Sequence, residues 1–82
     1  MDAKTAFDTK LKPKLEESFG ADLTTSVLST HAGRLGINPA ALAEDQYLQL
    51  VDAIVQDPRV IQMWDEAKTK FQALAWRGAL RM

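Results

Sequence analysis

Residues 29–45, STHAGRLGINPAALAED, contain the joint between two predicted helices. Apolar residues precede the joint at helical intervals, and Gly36 is the residue type that commonly follows the end of a helix. Asn38 is suited to capping the start of the next helix, and Pro39 is suited to its first position. The stretch therefore predicts one helix that stops at Gly36 and another that starts close to Asn38.

Helical periodicity also extends upstream of this joint. Apolar residues spaced by four predict either one helix kinked at Pro13 or two helices over 3–11 and 13–19. Gly20 is expected to end this part, because glycine readily adopts the left-handed conformation that follows a helix. A further helix is predicted over 22–36. The N-terminal half of the chain thus predicts two or three helices.

Two more helices are predicted downstream of the joint. One begins near Asn38 or, if a short turn comes first, near Gln46, and its apolar face extends to about residue 56. The last helix is predicted over 57–78, with Asp57 as its cap and Pro58 at its first position. It is predicted to bury an apolar stripe formed by Val60, Trp64, Ala67, Phe71 and Leu74. We therefore predict a single all-α domain over residues 1–82, a compact bundle of four to five short helices.

The composition is that of one small globular domain. The 82 residues are 46% hydrophobic and 26% charged, which favours a folded core over disorder. The absence of cysteine excludes disulfides and thiolate metal sites as sources of stability. Because a core of this size stabilises a domain only marginally, either good helix packing or self-association, for example as a homodimer, is predicted to supply the stability.

Charges are unevenly distributed along the chain. Residues 38–66 carry six acidic side chains and one basic one, whereas residues 67–82 carry four basic side chains and no acidic one. Nucleic-acid binding needs a continuous basic face, which this distribution disfavours. No apolar run approaches the length of a membrane span, and the N-terminal residues do not resemble a signal peptide. The sequence predicts a cytoplasmic protein without a membrane span.

The segment HAGRLGIN, residues 31–38, resembles the core of helix-turn-helix proteins. In that family a small residue, a turn glycine and a later apolar residue set the angle between two helices, and Ala32, Gly36 and Leu42 fit these places. The resemblance implies DNA binding through the helix that follows. That helix would offer no arginine or lysine to the groove, and Glu44 would repel phosphates. DNA binding therefore stays an alternative to the functions predicted below.

His31 and Arg34 resemble the site of histidine phosphotransfer domains, in which an exposed histidine is followed three residues later by a lysine. The resemblance implies that His31 accepts a phosphoryl group and that Arg34 steadies it. Leu35 departs from the family, which has a small glycine there. A lone histidine on a helix is more often a partly buried, hydrogen-bonded residue. Phosphotransfer is thus a second alternative.

Residues 15–54, LEESFGADLTTSVLSTHAGRLGINPAALAEDQYLQLVDAI, resemble small helical modules attached to bacterial and archaeal signalling proteins. Those modules run as an apolar helix, a glycine-containing break, a second apolar helix, LGI with a proline, and a third helix. Such modules regulate or bind partners and do not catalyse. The resemblance implies an accessory role without naming the partner.

No enzyme, cofactor or metal site is predicted, because one histidine, no cysteine and no glycine-rich phosphate loop leave no catalytic set. The predicted interaction surface centres on Trp76 and Arg77, which fall off the apolar stripe. An exposed Trp–Arg pair is typical of binding hot spots. Tyr47 and Met63 are candidates to extend this surface. Alternatively, Trp76 covers the N-terminal helix of the same domain. We predict a non-enzymatic protein–protein interaction or regulatory domain.

Overall fold

Three helices make up the described part of the protein. The structure, a computed structural model, describes residues 1–81, and no strand occurs in that range. The helices occupy residues 3–35 (α1), Glu44–Val55 (α2) and Pro58–Ala79 (α3). The all-α class is confirmed. The predicted number of four to five short helices is wrong, because α1 continues through two positions that were expected to end or divide it.

The first of these positions is Pro13. The α1 run consists of an α-helical turn, a π-helical turn and a long α-helix, which occupy Ala3–Ala6, Phe7–Leu11 and Lys12–Leu35. At the end of the π-turn, the Lys12 N–H donates to the Phe7 carbonyl, five residues back. Proline lacks an N–H and crowds the carbonyl four residues before it. The wider turn directly before Pro13 changes the hydrogen-bond register there, so the helix passes the proline without dividing.

The second position is Gly20, where α1 changes direction. Gly20 has φ 79° and ψ 169°, while the residues on both sides are helical. The prediction placed a left-handed glycine here, and only the positive φ agrees with it, because a ψ of 169° lies outside the left-handed helical region. The helix resumes at once, however, so the break bends α1 where a joint between two helices was predicted.

Replacement of Gly20 by alanine is expected to destabilise the protein by about 1–2 kcal/mol, because an L-residue is strained at this φ and ψ. An added Cβ would meet nothing within 4 Å, so the cost lies in the backbone alone. Gly33→Ala is the matched control, since Gly33 is helical and equally open. This control is expected to be neutral or stabilising by up to about 1 kcal/mol. Urea unfolding followed by circular dichroism measures both, and equal stability of the two variants would contradict the assigned Gly20 conformation.

A comparable break lies in α3 at Asp65. This residue has φ 63° and ψ 172°, which non-glycine residues seldom adopt. Its side chain accepts a hydrogen bond from the Lys68 N–H at 2.9 Å, and its carbonyl accepts one from the Thr69 hydroxyl at 2.5 Å. Asp65 therefore acts as an N-cap for the second half of α3.

The break at Asp65 changes which face of α3 is buried. Val60 and Trp64, before the break, face the core as predicted. The buried residues after the break are Thr69, Ala73, Trp76 and Ala79. The predicted stripe assumed an uninterrupted helix, so its second half is wrong: Phe71 and Leu74 are 73% and 62% exposed.

A single hydrophobic cluster joins the three helices. Its members include Leu11, Leu15 and Val27 from α1, Tyr47, Leu50 and Ile54 from α2, and Val60, Trp64 and Trp76 from α3. The Trp64 ring lies between two other aromatic rings, with centroids 5.5 Å from Phe19 and 5.9 Å from Trp76. Trp64 also donates its indole N–H to the Ser18 hydroxyl at 2.8 Å. Both tryptophans therefore belong to the core.

Candidate functional site

Trp76, the centre of the predicted interaction surface, is buried. Its side chain is 1% exposed, and its indole N–H donates to the Lys10 carbonyl at 3.3 Å. Tyr47 is fully buried as well, and its hydroxyl donates to the Trp76 carbonyl at 2.7 Å. The expectation that these two residues form an exposed surface is wrong, because the break at Asp65 turns Trp76 toward α1. The alternative, in which Trp76 covers the N-terminal helix, describes its position.

Arg77 and Met63 are exposed, as the predicted surface requires. Met63 is 56% exposed and lies before the break in α3. The Arg77 guanidinium donates to the Asp52 carboxylate and so joins α3 to α2. With Trp76 buried, the Trp–Arg pair does not form a surface, and no hot spot of that type exists at this position.

A different apolar surface occurs on the second half of α3. Phe71 and Leu74 lie three residues apart on the helix, so they are neighbours on its surface. We call this pair the Phe71/Leu74 ridge. A groove lies on each side of it. The first is lined by Lys14, Ser18, Trp64, Lys68, Phe71, Gln72 and Ala75. The second is lined by Val55, Gln56, Ile61, Glu66, Thr69, Lys70, Ala73, Leu74 and Arg77.

Both grooves carry a positive net charge although the whole chain has a net charge of −1. The first contains Lys14 and Lys68 and no acidic lining residue in the part of the chain that the structure describes. The second contains two cations and Glu66, which pairs with Lys70 at 3.3 Å. Sequence analysis missed this ridge, because its residues are in phase with a stripe that would be buried in a straight helix.

The most extensive polar cluster joins α1 to the start of α3. Asp57 is the N-cap of α3, and one of its oxygens accepts the Arg59 backbone N–H at 2.8 Å. The other oxygen lies 2.7 Å from His31 Nε2 and 2.7 Å from Arg59 Nη2. Hydrogen bonds from the Arg59 side chain, together with those from His31 and the Arg59 backbone, hold the pKa of Asp57 well below its ordinary value. Sequence analysis identified Asp57 as a cap but found no signal for its contact with His31.

A cleft of about 580 Å³ opens beside this cluster, and we call it the His31 cleft. It is lined by Thr30, His31, Arg34, Leu35, Ala53, Gln56, Asp57, Pro58 and Arg59. His31 is only 9% exposed and is bound to Asp57. It therefore differs from the freely exposed histidine of a phosphotransfer domain, and the phosphotransfer alternative finds no support in its burial.

The joint after α1 differs from a helix-turn-helix. Gly36 ends α1 in the left-handed conformation, as predicted. Asn38 accepts a hydrogen bond from the Ala40 N–H at 3.0 Å, but it caps only a single 3₁₀ turn, Pro39–Ala41. The next helix begins at Glu44, so the separate short turn is confirmed. A helix-turn-helix has a turn of three to four residues. Residues 38–43, which were predicted to begin the helix that would enter a DNA groove, therefore lie outside any α-helix.

Within residues 1–81, no three histidine or carboxylate side chains lie close enough together to hold a metal ion. Over the same range, no helix combines the length and apolar character needed to cross a bilayer. In comparisons with models of known protein families, with curated proteins and with solved structures, this chain matches none of them.

Proposed function

We propose that this chain is a non-enzymatic interaction domain that binds another protein through the Phe71/Leu74 ridge. The observation that carries the proposal is the exposure of two large apolar side chains, side by side on a well-formed helix. Single exposed apolar residues are common on protein surfaces, whereas adjacent ones flanked by grooves are typical of contact sites. An accessory role of this kind also agrees with the resemblance of residues 15–54 to signalling modules.

A partner that covered the ridge would gain the hydrophobic free energy of burying its two side chains. Full burial of a phenylalanine or leucine side chain contributes about 1.5–3 kcal/mol. In the free protein most of this free energy is not yet gained, because Phe71 and Leu74 are largely exposed. Two adjacent anchors that enter pockets on a partner are the usual centre of a protein–protein contact.

Charge around the ridge defines the chemistry of the partner. Lys68 makes no ion pair within residues 1–81, and Lys14 lies 3.8 Å from its nearest acid, Glu17. A segment that combines acidic residues with one or two apolar anchors would complement this surface. We therefore propose an acidic amphipathic helix as the occupant, because a helix can present apolar side chains to the ridge and carboxylates to the lysines.

Nucleic acid is the weaker candidate for the same surface. Electrostatic binding to nucleic acid draws on many phosphate contacts, and stacking requires exposed aromatic rings. The ridge offers few unpaired cations and a single exposed aromatic side chain, Phe71. Val55, Ile61 and Leu74 in the second groove suit aliphatic side chains better than bases.

The double variant Phe71→Ser/Leu74→Ser is expected to abolish binding with little change in stability. Substitution of exposed residues changes the free energy of unfolding by about 0.5 kcal/mol or less. Leu35→Ser is the matched control, because Leu35 is also exposed and lies outside both grooves. The probe is an amphipathic peptide of about 15 residues with leucines on one face and glutamates on the other. Chemical-shift titration should place it at the ridge of the wild type and of Leu35→Ser only.

The same peptide with lysine in place of glutamate tests the charge argument. Its binding should be much weaker, because it would face Lys14 and Lys68. Equal binding of both peptides would leave an apolar contact without charge selectivity. If neither peptide shifts the ridge, while sedimentation shows a dimer that the double variant loses, the occupant is a second copy of the chain. Capture of nucleic acid alone from lysate, unaffected by the double variant, would contradict the proposal.

A further inference from the structure

The His31 cleft has a chemistry that the interaction ridge does not use. Three of its lining residues, His31, Arg34 and Arg59, carry nitrogen groups that can bind an oxyanion. The acidic member of the lining, Asp57, would repel an anion if its charge were free. Whether the cleft favours anions therefore depends on how completely Asp57 is neutralised.

The Asp57 carboxylate is buried, and both of its oxygens accept hydrogen bonds. Its side chain is 4% exposed, and its two oxygens accept hydrogen bonds from His31 Nε2, from the Arg59 backbone and from the Arg59 guanidinium. The bond from Arg59 Nη2, at 2.7 Å, is short, as expected between opposite charges. The carboxylate is thus almost inaccessible to a ligand in the cleft, and its charge is offset by Arg59.

His31 is oriented by this carboxylate. An ionised Asp57 accepts a hydrogen bond from the Nε2–H group, so Nε2 is not available to a ligand. The other ring nitrogen, Nδ1, has no hydrogen-bond partner within residues 1–81. Among the described residues, the buried side-chain nitrogen or oxygen atom that lacks a partner is Thr24 Oγ1, so Nδ1 is not fully buried. Nδ1 must therefore reach solvent, and His31 borders the cleft. His31 thus combines a ring held by Asp57 with a solvent-accessible hydrogen-bonding nitrogen, and it lines the cleft.

Arg34 completes the set. It lies three residues after His31, on the same side of α1, and it lines the cleft. Its guanidinium makes no ion pair within the described range, 1–81, and the residue is exposed. A guanidinium without an internal partner can form two parallel hydrogen bonds to a ligand. Arg59, which is 38% exposed at its side chain, lies beside it in the same lining.

We propose that the His31 cleft binds the phosphate group of a small molecule, held by Arg34, His31 Nδ1 and the exposed edge of Arg59. Three polar groups suit the three terminal oxygens of a phosphate better than the two oxygens of a carboxylate. The two arginines donate N–H groups, and His31 Nδ1, whose ring proton is on Nε2, accepts a hydrogen bond from a protonated phosphate oxygen. The site is independent of the Phe71/Leu74 ridge and of its proposed partner.

The test is a titration of the ¹⁵N-labelled protein with inorganic phosphate and, separately, with phenyl phosphate, at constant ionic strength set by chloride. We expect saturable shifts confined to the cleft residues and to the His31 ring nitrogens. Tighter binding of phenyl phosphate would identify an organic phosphate ester as the ligand class, whereas equal binding would identify free phosphate. Either result supports the site. Shifts that are absent, non-saturable or spread over the surface would overturn it.

Arg34→Gln is expected to weaken phosphate binding about tenfold, since it removes charge-assisted hydrogen bonds. The matched control is Lys12→Gln, which makes the same charge change at an exposed position outside the cleft. It should change the affinity by less than about twofold, as expected for screened surface charges. An equal loss in both variants would show that the anion responds only to net charge, and the proposed site would be wrong. Neither side chain contributes to the core, so both variants should fold.

Discussion

Trp76→Ala is expected to lower the free energy of unfolding by about 3–5 kcal/mol, the range for removal of a buried aromatic side chain. A domain of this size has a total stability of about 5 kcal/mol, so the variant should keep no more than about 2 kcal/mol of it. The side chain is 1% exposed and contacts the Trp64 ring. Its loss would leave a cavity and remove the hydrogen bond to the Lys10 carbonyl. Urea unfolding followed by circular dichroism measures the change.

Phe71→Ala is the matched control for this prediction. Phe71 lies on the same half of α3 and also carries a large aromatic ring, but it is 73% exposed. Its replacement should change the stability by no more than about 0.5 kcal/mol. The pair of variants tests the change of register at Asp65 directly. In a straight helix with the predicted stripe, Phe71 would be the costly substitution and Trp76 the neutral one, so that order of effects would refute the observed register.

The contrast between Trp76 and Phe71 shows where sequence patterns stop being informative. A stripe of apolar residues identifies the buried face only while the helix is regular. Asp65 interrupts the helix with a positive φ, and aspartate at that position gives no warning of it, since aspartates are common on exposed helical faces. The prediction of the first half of α3 was correct for the same reason that the second half failed: the helix is regular only as far as Trp64.

Helix ends, which depend on residues adjacent in the sequence, were predicted more accurately than contacts between helices. Gly36 adopts the left-handed conformation at the end of α1, and Asp57 caps α3 before Pro58. Each depends on the conformational preference of one residue and on hydrogen bonds within a single turn. The contact between Asp57 and His31 spans 26 positions of the sequence and arises only when α1 packs against the start of α3. No local pattern contains that information.

Asp57→Ala is expected to destabilise the protein by about 3 kcal/mol, because it removes the cap of α3 and leaves His31 and Arg59 without their shared partner. This loss of stability is at the low end for a buried ion pair, because the Arg59 guanidinium is partly solvated. Asp57→Asn keeps the oxygen that caps α3 but replaces the other oxygen with an NH2 group, which has no charge and cannot accept from Arg59 Nη2, and it should cost about 1–2 kcal/mol. The matched control is Asp52→Ala, which breaks the exposed pair with Arg77 and should cost less than about 1 kcal/mol.

The pH dependence of the free energy of unfolding isolates the contribution of the charge on Asp57. Its pKa is lowered in the folded protein, chiefly by hydrogen bonds from the Arg59 side chain, so the unfolded chain takes up the proton first as the pH falls. The stabilisation is therefore complete above the unfolded pKa of about 4 and is lost progressively below it. The difference in stability between the wild type and Asp57→Asn should be constant from neutral pH down to about pH 5 and shrink below about pH 4. A difference that stays unchanged in acid would mean that the cluster stabilises the fold through geometry alone, and that the charge on Asp57 contributes nothing.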